Sequence, residues 1–158
     1  MDIEHPLVLN ILRRSMVARL ATLSRNGRPS VNSLYFLYRD GRIWLGTADW
    51  TLAAHNVEAN PEVCLLLELE QDAPIHHTLR LSGRAWVRED PETVHSYGLG
   101  VVHKYVLTGR GLRNALAHFR QLRLQSEYRA QSKRKGRTCV IEFTPQQVEL
   151  LTNGHPHC

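Results

Sequence analysis

Two Asx-Gly dipeptides stand between strand-like runs in the first third of the chain. Asn26-Gly27 separates residues 18–24 (Ala18-Arg19-Leu20-Ala21-Thr22-Leu23-Ser24) from the apolar and aromatic run 31–38. Asp40-Gly41 then separates that run from residues 43–47. Asn, Asp and Gly tolerate the positive φ that two-residue hairpins demand, so both dipeptides predict tight type I′ turns. Hairpins of this kind in series mark an antiparallel meander.

Around the meander the pattern alternates between helix and strand. Residues 3–15 place Ile3, Leu7, Ile11 and Leu12 at helical spacing, with Asp2 and Glu4 at one end and Arg13 and Arg14 at the other. A second short helix is expected over 51–58, with Thr51 as N-cap, a shared face of Leu52, His55 and Asn56, and a stop at Asn60-Pro61. Residues 62–70 and 78–87 read as longer strands, the second carrying a bulge or bend at Gly83. Asp90-Pro91-Glu92 opens a helical stretch broken at Gly98, Gly100, Gly109 and Gly111. From there Leu112, Leu116, Phe119 and Leu122 draw one apolar stripe, with Arg113, Arg120 and Arg123 around it. Residues 133–136 form an exposed connection, 138–143 a last core strand, and 148–151 its extension beyond Pro145. Six strands in antiparallel order, with helices set between them, predict a small β-barrel of the α+β class. The whole of residues 1–158 is expected to be one domain, with a helical basic segment at 91–134.

Composition agrees with that size of core. Hydrophobic residues make up 42% and charged residues 22% of the 158, ordinary globular usage. A domain of this length buries roughly 70% of the surface its unfolded chain exposes, so neither disulfides nor a metal is needed to fold it. No apolar run approaches the ~18 residues of a membrane span, and the first fifteen residues carry no basic-then-apolar export pattern. Cys64 and Cys139 sit within apolar runs, which suits a soluble protein of a reducing, cytoplasmic compartment. Charge is uneven: residues 104–137 hold ten Lys and Arg against Glu127, a local +9 that leaves −4 on the remainder of a +5 chain. Such a stretch attracts nucleic acid or another anion, or forms a solvated helix face. With only Tyr105, Phe119 and Tyr128 interleaved and no helix-turn-helix, nucleic acid is not the expected partner.

The succession Ala18-Arg19-Leu20-Ala21-Thr22-Leu23, Asn26-Gly27-Arg28-Pro29, Asp40-Gly41-Arg42-Ile43-Trp44 and His55-Asn56-Val57-Glu58-Ala59-Asn60-Pro61-Glu62-Val63 resembles the pyridoxamine 5′-phosphate oxidase-like, flavin-binding split β-barrel superfamily. The likeness continues through Gly83-Arg84-Ala85 and Ile141-Glu142-Phe143-Thr144-Pro145. It implies a six-stranded antiparallel split barrel of the FMN-binding type. It also implies a homodimer with FMN, or the deazaflavin F420, at the subunit interface and a small-molecule substrate. Carried over position by position, the cofactor contacts implied are Arg19, Leu20, Ala21 and Thr22 along the first strand, Gly46 and Thr47 at the end of the third, and Trp50, Thr51 and Asn56 around the helix that follows. The chain departs from the family where a phosphate is usually gripped: Leu52 and Ala53 stand where the resemblance calls for Arg or Lys. Each charge-assisted hydrogen bond lost there is worth ~1.5–3 kcal/mol. Free N–H groups at residues 51–54 still suit an anion, and Arg19, Arg80 or a basic residue of the second subunit are the expected substitutes.

Two functional classes follow. The first is an oxidoreductase in which FMN or F420 supplies the hydride chemistry and no side chain need act as acid or base. The second is a non-catalytic split barrel that has lost its flavin and binds haem, another anionic ligand or nucleic acid. Nine histidines bear on the haem version, among them His76, His77, His95 and His103, yet no spacing singles out an axial ligand. The terminal His155-Pro156-His157-Cys158 has no preset geometry, so no metal site is expected. Tyr35, Tyr38 and Trp44 follow the strand period and belong to the core or the pocket wall. No Ser-His-Asp order, phosphate-cradling Gly-rich loop or CxxC pair is present.

Overall fold

The structure, a computed structural model, describes residues 2–68, 76–107 and 136–153. The expected apolar stripe from Leu112, most of the basic segment and the terminal His155–Cys158 tail lie outside the described residues. Helix α1 (Pro6–Arg14) leads into strands β1 (Val17–Leu23), β2 (Pro29–Arg39) and β3 (Arg42–Ala48). Helix α2 (Leu52–Ala59) and strands β4 (Glu62–Glu68) and β5 (His76–Arg88) follow. Helix α3 (Pro91–Val102) runs on into a π-helical turn (His103–Leu107), and strand β6 (Thr138–Asn153) comes last. The strands close an antiparallel barrel in the order β1-β2-β3-β6-β5-β4, with β4 pairing back onto β1. Among the described residues no helix is long and apolar enough to cross a membrane.

Strand alternation builds the core. Inward positions such as Leu20, Phe36, Leu45, Leu65, Leu81 and Phe143 are fully buried, each worth about 1.5–3 kcal/mol of apolar transfer. Val8, Ile11 and Leu12 of α1 join the same cluster, as do Ala53 and Val57 of α2. A second, outer cluster forms where α3 lies on the barrel wall, joining Leu37, Tyr97 and Val140. Tyr38 packs on the interior core, whereas Trp44 belongs to the outer cluster and Tyr35 is exposed at its edge.

Several local expectations are corrected by the backbone. Asp40 (φ 51°) and Gly41 (φ 74°) form the type I′ turn, with Arg39 and Arg42 paired across it. At the first hairpin only Gly27 takes positive φ (73°). Its N–H donates to the Ser24 carbonyl (2.9 Å) and the Ser24 N–H to that of Arg28 (2.9 Å), so the loop holds three residues. That is the longer hairpin, a turn closed by one left-handed glycine, and Asn26 need not leave the ordinary region. Helix α2 buries Ala53, Ala54, Asn56 and Val57 and turns Leu52 and His55 outward, so the expected Leu52–His55–Asn56 face is split. Helix α3 is not broken at Gly98 or Gly100. A Cβ at Gly100 would strike Leu37, and one at Gly46 would strike the Tyr97 ring, so each partner carries a glycine notch for the other's side chain. That close seating offsets the ~1 kcal/mol that Gly100 costs the helix, whereas Gly98 faces open space. The bulge expected at Gly83 is present, opposite Pro145, and β6 runs unbroken through that proline.

Candidate functional site

Thr51 organises the junction between β3 and α2. Its hydroxyl accepts from the Ala54 N–H (3.3 Å), the capping bond of α2, and donates to the Ala48 carbonyl (2.8 Å). The Thr47 hydroxyl lies 2.8 Å from that of Thr51. Because the Thr51 proton is spent on Ala48, Thr47 is the donor of this pair. The Leu52 and Ala53 N–H groups open the helix, where no intrahelical acceptor exists. These N–H groups are the positive end of the α2 dipole, and the Thr47 hydroxyl beside them joins them only by turning its proton away from Thr51. Such donors fit the anionic arm of a flavin, and α2 itself adds no cation: Leu52 is exposed and apolar, Ala53 is buried. The ionised group nearest in sequence is Asp49, whose Oδ1 accepts the Arg137 N–H at 3.0 Å.

A second pair ties β1 to the same helix. The Asn56 amide is 3% exposed and donates through Nδ2 to the Thr22 hydroxyl at 3.0 Å, fixing α2 against the inner side of β1. Leu20, on the same strand, points into the core and is fully buried, its backbone lying between β2 and β4. Arg19 and Ala21 face outward. Arg19 is bound to Glu68 of β4 at 2.8 Å, an exposed pair of small energetic worth. Ala21 and Thr22 line a groove of about 440 Å³ together with Cys64, Ser82 and Gln147. The nine positions implied by the resemblance therefore fall into distinct places. Thr47, Trp50 and Thr51 gather at the start of α2, Thr22 and Asn56 bond beneath it, Arg19 and Ala21 lie on the outer wall, and Leu20 is core. Gly46 neighbours Thr47, but its outer face is filled by Tyr97, whose hydroxyl donates to the Tyr35 carbonyl at 3.0 Å.

Neither Tyr97 nor the Asp49–Gly136–Arg137 contact is signalled by any motif in the sequence. Both join segments far apart in the chain, and the one local hint was a glycine at each junction. Thiol chemistry finds no support beside Thr47: burial, then Asp49, Glu89 and Glu58, push the Cys139 thiol up to about 12, so it stays protonated. His95 and His103 are exposed. Among the described residues no three His, Cys, Asp or Glu side chains gather as a metal site requires.

Comparison with known proteins places this geometry in a family. The family model of pyridoxamine 5′-phosphate oxidase matches residues 5–152. No curated protein matches the sequence. Among solved structures, the conserved hypothetical protein Rv2991 from Mycobacterium tuberculosis has a TM-score of 0.70 at 20% identity, over 100% of this chain and 92% of that one. HutZ, the haem storage protein from Vibrio cholerae, has a TM-score of 0.63 at 17% identity, over 96% and 94%. An F420 reductase has a TM-score of 0.60 at 18% identity, over 89% and 94%. Identities this low carry the barrel fold and nothing finer. The match over residues 5–152 carries more: the chain belongs to the pyridoxamine 5′-phosphate oxidase family.

Proposed function

We propose that this chain is an oxidoreductase acting on a small molecule through a flavin (FMN) or the deazaflavin F420, held at the start of α2 in a homodimer. The observation that carries the reading is the donor set of Thr47 and the first N–H groups of α2, set in a barrel of this family. Similarity to an F420 reductase supports the deazaflavin version. When bound, the ring supplies hydride transfer. The chain's own part is to bind and orient. Thr47 and the α2 N–H groups hold the anionic arm, Thr51 keeps that helix start in place through Ala48, and the Thr22–Asn56 bond fixes the spacing between β1 and α2.

The test is a titration of the purified protein with FMN and with F420, followed by cofactor fluorescence. Stoichiometric saturation is expected with one of them, and a flat response to both counts against the proposal. A second reading is favoured by exposed Leu52, an apolar side chain that suits a macrocycle better than a phosphate. In that version the barrel is a non-catalytic haem binder, a reading supported by the similarity to a haem storage protein. It requires a Soret band on adding haemin and no cofactor-dependent turnover.

A further inference from the structure

A flavin phosphate brings close to two negative charges, while α2 carries no basic side chain in its first turn. The cations expected to compensate are committed elsewhere. Arg19 pairs with Glu68 at 2.8 Å and Arg80 with Glu149 at 2.7 Å. The fold brings the backbone of another arginine beside Asp49, two residues before the α2 cap. The β3–β6 ladder ends at Ala48 and Thr138. One step beyond it, the Asp49 N–H donates to the Arg137 carbonyl (3.0 Å) and the Arg137 N–H donates to Asp49 Oδ1 (3.0 Å). Gly136 is seated so tightly that a Cβ would strike both Asp49 and Trp50. The Arg137 backbone is therefore fixed against Asp49, with the preceding Gly136 packed on Trp50. Its side chain is exposed, and among the described residues none of the arginine ion pairs uses it.

We infer that Arg137 is the cation that holds the anionic arm of the cofactor, replacing the charge that Leu52 and Ala53 do not supply. The inference rests on the flavin reading above and deepens it, since it assigns the site's preference for a phosphorylated ligand to one residue. The chemistry suits the position. A guanidinium offers a planar fork to phosphate oxygens, is always charged, and needs no donor from the helix side chains. Among the described residues Asp49 forms no ion pair with the Arg137 guanidinium; its Oδ1 takes the Arg137 main-chain N–H instead.

Arg137→Gln removes the charge from an exposed position and is expected to leave the melting temperature unchanged. FMN affinity should fall by roughly 10- to 100-fold, the equivalent of one charge-assisted hydrogen bond or a bidentate pair. Riboflavin, which has the same ring and no phosphate, should bind wild type and variant alike. Arg137→Lys should recover part of the FMN affinity, and the wild-type preference for FMN over riboflavin should shrink with added salt. If the wild type takes F420 and not FMN, the same loss is expected for F420. An FMN-to-riboflavin ratio unchanged by Arg137→Gln overturns the inference and leaves the flavin reading standing. Equal weakening of both ligands also overturns it, since that marks a structural role. Failure of the wild type to bind any of FMN, F420 and riboflavin overturns the flavin reading and this inference with it.

Discussion

Thr22 and Asn56 show how a polar pair is used where an apolar one would fit. Both are buried and satisfy each other across the β1–α2 contact. Thr22→Val keeps the shape but strands the Asn56 amide donor, which should cost about 1–3 kcal/mol, read as a lowered urea midpoint at unchanged slope. Gly46→Ala tests the neighbouring notch. Its new methyl meets the Tyr97 ring, and overpacking of that kind costs about 1–3 kcal/mol. These residues also mark the limit of what the sequence reveals. The Thr51 cap was legible because capping is local: the hydroxyl and the amide it binds lie three residues apart. Asn56 was legible as a position of interest, but its partner lies 34 residues away and emerges only once β1 and α2 are packed. Arg137 was counted among the basic residues with no hint of Asp49, 88 positions distant.

At the scale of elements, the strands and short helices follow from alternation, caps and turn residues, and the errors fall where loop length or tertiary seating decides. Gly98 and Gly100 look like breaks in isolation, and Leu37 seats against one of them. Past α3, the π-helical turn is fastened by two side chains. Tyr105 Oη lies 2.8 Å from the Met16 carbonyl and 2.9 Å from that of Phe36, both acceptors for its proton. Lys104 Nζ donates to the Leu12 and Phe36 carbonyls (3.4 and 3.3 Å) and sits 3.6 Å from the centre of the Phe36 ring. Burial nevertheless pushes the ammonium down from 10.5 to about 8. A proton the fold holds less tightly than the unfolded chain penalises the fold at every pH below the lowered value. That penalty is relieved as pH rises from about 8 to 10.5, so stability should climb across this window. Lys104→Met, with no proton to lose, should show a flatter profile there. Urea midpoints at several pH values between 7 and 10.5 check it, and parallel profiles for the two proteins would reject Lys104 as the source.

For the whole molecule, the informative surface is the outer wall rather than the filled interior. Pairing aligns Val31, Ala21, Cys64, Ser82 and Gln147 side by side across five strands, a row without a single charge. Val31 is 63% exposed, and Leu23 and Tyr35 lie exposed on the same two strands. Small side chains in the middle of that row form the floor of the groove, while Val31 and Leu23 stand along one side of it. A two-fold contact uses the same patch on both copies, so an exposed apolar rib beside a groove is a surface such a contact can use. Exposed apolar residues so grouped are unusual on a protein that works alone. This face, continuous with Ala21 and Thr22, is the expected contact of the homodimer proposed above. Val31→Asp places a charge on the rib without touching the core. Light scattering should give twice the 18.1 kDa chain mass for the wild type and a single chain mass for the variant. Barrel stability should change little, since Val31 makes no core contact to lose, and FMN affinity should fall together with the dimer. A variant that becomes monomeric yet binds FMN as before would separate the ligand site from the interface. A wild type of single chain mass would remove the interface and count against the flavin reading, which holds the cofactor in a homodimer.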